Sequence, residues 1–149
     1  MVAPEIIQSG LRVTCKRQLL KKLSEIAATA FNCSVKDVFR ALSEREQIGC
    51  TGIGGGVAIP HIRMEGINKV TGIFVTLREA IDFDAYDEEP VDLVYLLLAP
   101  KENVDNGHLQ ALSRVSRMLR DDEFCQKMRE INAYSDQEDA MMGQLFTAA

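Results

Sequence analysis

The chain has 149 residues, a net charge of −5, and 46% apolar and 26% charged residues. That length allows one domain with a sizeable core, and the acidic balance argues against a nucleic-acid surface, which needs clustered Lys and Arg. Cys15, Cys33, Cys50 and Cys125 form no C-x-x-C pair and the two histidines complete no zinc spacing, so no metal is expected and the thiols read as small apolar fillers in a reduced compartment.

Residues 1–10 read as a loose lead-in, and "LRVTC" (11–15) as a short strand. A helix follows, with Leu19, Leu20, Leu23, Ile26, Ala27 and Ala30 on one face and Asn32 at its end. Ser34, with Asp37 three residues on, opens a second helix whose buried stripe is Val35, Val38, Phe39 and Leu42. That helix runs through "SEREQ" (43–47) into the glycine-rich stretch "GCTGIGGGVAIPHIR" (49–63).

Within that stretch "GVAIP" (56–60) reads as a strand. "KVTGIFVTL" (69–77) is another, with Val70, Phe74 and Val75 as packing residues. "REAIDFDAYDEEP" (78–90) is an acidic loop, taken as solvated because its spacing fits no EF-hand. "VDLVYLLLAP" (91–100) is continuously apolar from Leu93 to Ala99, as in a strand covered on both faces and too short to span a bilayer. "KENVDNG" (101–107) is a loop. Three helices close the chain. His108 to Arg120 turns Leu109, Leu112, Val115 and Leu119 inward. Asp121 caps a helix burying Phe124, Cys125 and Met128. Ser135 and Glu138 form a capping box for the last, which ends near Leu145. The order β-α-α-β-β-β-α-α-α predicts an α/β fold, a mixed sheet with helices on both faces.

Two residues stand out chemically. His61 follows Pro60 at a strand end, and a neutral imidazole is a good nucleophile near physiological pH. The glycines before it permit positive φ and an anion-binding nest of N–H groups. They make neither a P-loop, since no Gly-Lys-Ser/Thr follows, nor a dinucleotide fingerprint, since a strand rather than a helix follows. A glycine-rich turn with an exposed histidine is the plainer reading of these residues alone. His108 lies in the first turn of a predicted helix, where the dipole disfavours a charged imidazole; an ordinary exposed residue is its plainer reading. Arg45 ends the second helix with a donor fork suited to phosphate, or pairs with Glu44 or Glu46. Thr51 offers a hydroxyl. Taken jointly, these residues can hold a phosphoryl group on an imidazole.

The blocks "EREQIGCTGIGGGVAIPHIR", "AIDFDAYDEEPVDLVYLLLAP" and "HLQALSRVSRMLRDDEF" resemble, in order, the landmarks of enzyme IIA domains of the bacterial phosphoenolpyruvate-dependent phosphotransferase system. The resemblance is to the fructose/mannitol type, most closely its nitrogen-regulatory branch, and covers about residues 8–146 of a single domain spanning 1–149. It implies a three-layer α/β/α fold and His61 as the phosphoryl acceptor, modified on Nε2. It further implies Arg45 and His108 as assisting residues. An HPr-like phosphocarrier would be the donor. Cys50 stands where Ser or Thr is common, Gly55 where Asn is frequent, and Ile62 where Gly usually follows the histidine.

The expected chemistry is in-line transfer to neutral His61. Arg45, His108, Thr51 and the backbone N–H groups of the glycine loop, with Gly54 and Gly56, would stabilise the phosphoryl charge, with no cofactor. No IIB or IIC segment is apparent, so a cytoplasmic regulatory protein is expected. Its phosphorylation state would switch targets such as a potassium transporter or sensor kinase, without nucleic-acid binding or membrane insertion. The alternatives are a sugar-specific IIA passing phosphate to a IIB domain, and an interaction module that is never phosphorylated.

Overall fold

Alternating apolar residues in two long strands build a sheet whose opposite faces are both buried. The computed structural model describes residues 3–102, 106–132 and 138–148. Strand β1 (Ile6–Leu11) leads into α1 (Lys16–Phe31) and α2 (Val35–Ile48). Three short strands follow: β2 (Gly52–Gly54), β3 (Val57–Ala58) and β4 (His61–Met64). The long strands are β5 (Thr71–Ile81) and β6 (Val91–Pro100). The chain closes with α3 (Gly107–Leu119), α4 (Asp122–Asn132) and α5 (Glu138–Ala148).

The sheet is mixed, in the order β1-β5-β6-β3-β2, with β4 also on β6. The β1–β5, β3–β6 and β4–β6 pairs are parallel; β5–β6 and β2–β3 are antiparallel. Successive side chains of a strand face opposite ways, and β6 displays this directly. Val94, Leu96 and Leu98 pack with Leu19, Leu23, Val38 and Leu42 of α1 and α2. Leu93, Tyr95 and Leu97 pack with Val115, Leu119, Phe124, Met128 and Phe146 of α3, α4 and α5. The result is the expected three-layer α/β/α domain, and no helix among the described residues is long and apolar enough to cross a membrane.

Several expected elements move. The lead-in is a strand: Ile6, Ile7 and Gln8 pair with Ile73, Phe74 and Val75. Of "LRVTC" only Leu11 is in that strand, and the helix starts at Lys16. The strand expected at 69–77 begins at Thr71 and runs on through Ile81, into the start of the acidic segment. Strands β2 and β4, on either side of the "GVAIP" strand that contains β3, are not expected from the sequence. Ala30 faces outward, and Leu109 is 62% exposed while its neighbour His108 is buried. The α3 stripe therefore starts one residue earlier than read. Ser34 caps α2 as expected, accepting from the Asp37 N–H, and the Asp121 carboxylate accepts from the N–H groups of Glu123 and Phe124. Ser135, and with it the capping box expected of Ser135 and Glu138, lies outside the described residues.

Candidate functional site

Backbone pairing fixes where His61 points. The β2–β3 hairpin closes at its base with the Ile59 N–H donating to Thr51 O at 3.0 Å. Pro60 has no N–H to give, but its carbonyl accepts from the Leu97 N–H at 2.9 Å. The chain is therefore held against β6 on both sides of the proline, and β4 resumes with His61 opposite Leu97. In β4, Ile62 and Met64 turn into the α1/α2 core. By alternation His61 and Arg63 share the other face.

The His61 ring is oriented by the backbone just before its strand. Nδ1 lies 2.8 Å from the Ile59 carbonyl oxygen. A carbonyl only accepts, so the proton of the neutral ring sits on Nδ1 and the lone pair on Nε2. Burial lowers the His61 pKa below 6.5; the Ile59 hydrogen bond opposes this, Arg45 adds to it, and Glu46 opposes it. The ring is therefore a neutral imidazole with a free Nε2 near pH 7.

His108, at the start of α3, meets His61 edge-on, with ring centroids 5.8 Å apart and planes at 63°. It is 7% exposed. Burial, then the His61 and Arg63 charges, hold its pKa below 6.5. The Arg63 Nε–H donates to His108 Nδ1 at 3.2 Å. His108 Nε2 is buried with no hydrogen-bond partner among the described residues. A buried polar atom of this kind costs about 1–3 kcal/mol unless something satisfies it.

Arg45 completes the group. Its Nη1 donates to the Gly49 carbonyl at 2.8 Å, which ties the end of α2 to the loop. Arg45, His61, Arg63 and His108 line one open cleft of about 360 Å³, with Glu44 and Ile48 on its α2 side. Ile48 is 84% exposed at this mouth.

Thr51, Gly54 and Gly56 are not in that lining. Thr51 is 5% exposed, and both its hydroxyl and its N–H donate to the Glu46 carboxylate. Lys16 lies 3.7 Å from that carboxylate. The threonine hydrogen is thus spent in tying the hairpin to α2. Gly54, Gly55 and Gly56 all have positive φ and form the hairpin tip. The Gly55 N–H donates to Asp87 at 3.0 Å, and its carbonyl accepts from Arg129 at 2.7 Å. A Cβ on Gly56 would fall 2.6 Å from Arg129 Nη2. These glycines serve a turn clamped by the acidic loop and by the Arg129–Asp92 pair, because the strand that follows them carries the chain several residues on before His61. Cys50 also points away, its Sγ donating to the Phe83 carbonyl.

Two contributors were missed from sequence: Arg63 and the Ile59 carbonyl. The signal for Arg63 was available in "HIRM", where a two-residue step puts it beside His61 once β4 is recognised as a strand. The carbonyl carries no side-chain signature.

Comparison with known proteins places the chain. Residues 1–140 match the family model described as "Phosphoenolpyruvate-dependent sugar phosphotransferase system, EIIA 2". The chain is 44% identical over 129 residues to a nitrogen regulatory protein of Bradyrhizobium diazoefficiens, covering 87% of this chain and 84% of that one. It is 39% identical over 135 residues to a nitrogen regulatory protein of Escherichia coli K12, covering 90% and 81%. The crystal structure of the nitrogen regulatory protein IIA-Ntr from Neisseria meningitidis superposes with a TM-score of 0.78 at 34% identity, covering 94% of this chain and 92% of that one.

Proposed function

Because the chain belongs to the EIIA 2 family of the phosphoenolpyruvate-dependent sugar phosphotransferase system, we propose that it accepts a phosphoryl group on His61 Nε2 and signals by its phosphorylation state. The observation that carries the reading is the Nδ1–Ile59 hydrogen bond, which leaves Nε2 as the nucleophilic nitrogen. The donor is an HPr-like phosphocarrier bearing a phosphohistidine. The Nε2 lone pair of His61 attacks phosphorus in line. The new N–P bond forms as the carrier's N–P bond breaks, and that electron pair returns to the carrier's imidazole. The Ile59 carbonyl stabilises the positive charge that develops on the His61 ring, and Arg45 and His108 stabilise the spread phosphoryl charge.

The regulatory role is supported by the likeness to nitrogen regulatory proteins. Phosphorylation adds roughly −1.5 to −2 charge, by analogy with other phosphorylated side chains, at a cleft edged by exposed Ile48. An exposed apolar residue at the edge of the acceptor cleft suits protein docking, and a charge placed there changes which partners bind, transporters or sensor kinases included. The test is a pull-down comparing phosphorylated protein with His61→Ala. Partners that differ between the two support the switch. Identical partner sets, with transfer of phosphate onward to a IIB domain, replace it with a sugar-transport role.

A further inference from the structure

We propose that Arg63 is a positioning residue that fixes the proton of His108 on Nε2, so that a buried N–H is presented to the phosphoryl group on His61. The inference rests on the reading of His61 as acceptor, and it adds a residue to the transfer.

The geometry carries it in three steps. The Arg63 Nε–H is an obligate donor, so the His108 Nδ1 that faces it at 3.2 Å must be the unprotonated nitrogen. In the neutral ring the proton therefore sits on Nε2. That same Nε2 is the atom left buried and unpartnered among the described residues, in a ring 5.8 Å from His61. The two imidazoles are thus set in opposite tautomers by two different partners. Ile59 O keeps Nε2 of His61 free to attack, and Arg63 keeps Nε2 of His108 protonated to donate. Second-partner hydrogen bonds of this kind determine which nitrogen of a histidine is active.

The placement follows from the strand. Arg63 sits two residues after His61, on the same face of β4, while Ile62 between them is buried in the opposite layer. The α3 start brings His108 across to that face. Because the Arg63 side chain is largely exposed, its replacement removes the donor without opening a core cavity.

The experiment uses the full chain labelled with 15N at histidine. Imidazole 15N shifts of the unphosphorylated protein near pH 7.5 report which nitrogen of each ring is protonated. The expected wild-type result is Nδ1–H at His61 and Nε2–H at His108. In Arg63→Met the His108 pair moves toward averaged shifts, the His61 pair is unchanged, and the first-order transfer step from phosphorylated carrier slows about tenfold with unchanged half-saturation. Wild-type His108 protonated on Nδ1, or His108 shifts identical in Arg63→Met, overturns the proposal. So does a shifted tautomer with an unchanged transfer rate. The spectroscopic arm needs no phosphoryl donor, so it reads the Arg63–His108 link even where His61 fails to label.

Discussion

The Nδ1 nitrogen of His61 donates to the Ile59 carbonyl two residues back, at 2.8 Å. In the proposed transfer this one bond selects Nε2 as the nitrogen that reacts. The phosphorylated protein is therefore expected to carry its phosphoryl group on Nε2, read by 15N–31P coupling in the labelled phosphoprotein. Coupling to Nδ1 would mean that the carbonyl bond is broken on modification.

The pH behaviour follows from burial. His61 and His108 both have pKa values below 6.5 in the fold, with burial the largest cause for each. The unfolded chain binds protons more readily, so stability is full above about pH 6.5 and falls as pH drops toward the lowered values. Denaturant midpoints are expected to decline with acidification through this window. His61→Gln should flatten part of the decline. For the same reason the rate of phosphoryl acceptance should stay level as pH falls through 6.5 and drop only below it.

Arg45 offers its guanidinium to the cleft while one nitrogen holds the Gly49 carbonyl. Arg45→Ala is expected to slow acceptance by about a hundredfold, the cost typical of losing one preorganised donor at a developing anion, with circular dichroism unchanged. An unaltered rate would leave Arg45 with only its loop-tying role.

Ile48 on α2 is exposed in the lining of the cleft, and Leu109 on α3 is exposed next to His108 in sequence. Ile48→Glu and Leu109→Glu should each raise the carrier concentration for half-maximal transfer by about tenfold, or about 1.4 kcal/mol. Melting temperatures should hardly move, because neither side chain is buried. Titration of phosphorylated carrier against each variant gives the first quantity, and thermal unfolding gives the second.

The glycines at the hairpin tip separate turn chemistry from phosphate chemistry. Gly56 has φ of +80° and its Cβ direction is filled by Arg129. Gly56→Ala is expected to cost about 1–3 kcal/mol of stability, measured by denaturant unfolding, while folded protein still accepts phosphate. A stable but inactive Gly56→Ala would restore the glycine to the phosphate site.

The long strands and both flanking helix layers were readable because their periodicity is sustained. Leu93 to Ala99 reads as a two-faced strand, and α1 and α4 show clean stripes. Strand β3 falls inside the strand read at "GVAIP", but β2 and β4 were not readable, since three or four residues show no period and owe their state to pairing with β3 and β6. At the site, His61, His108 and Arg45 were legible as residue types whose chemistry suits phosphate. Thr51 was assigned the same role because a hydroxyl's partner is invisible in sequence, and here that partner is Glu46, five residues earlier. The glycines were assigned to a nest because positive φ serves nests and hairpin turns alike. Arg63 was passed over because its meaning depends on a strand of only four residues.

The proposed function stands or falls on His61 as the phosphoryl acceptor. The most direct measurement incubates wild type and His61→Ala with radiolabelled phosphocarrier and follows acid-labile protein-bound phosphate. Stoichiometric label on wild type and none on His61→Ala is the expected result; full label retained by His61→Ala would rule His61 out as the acceptor.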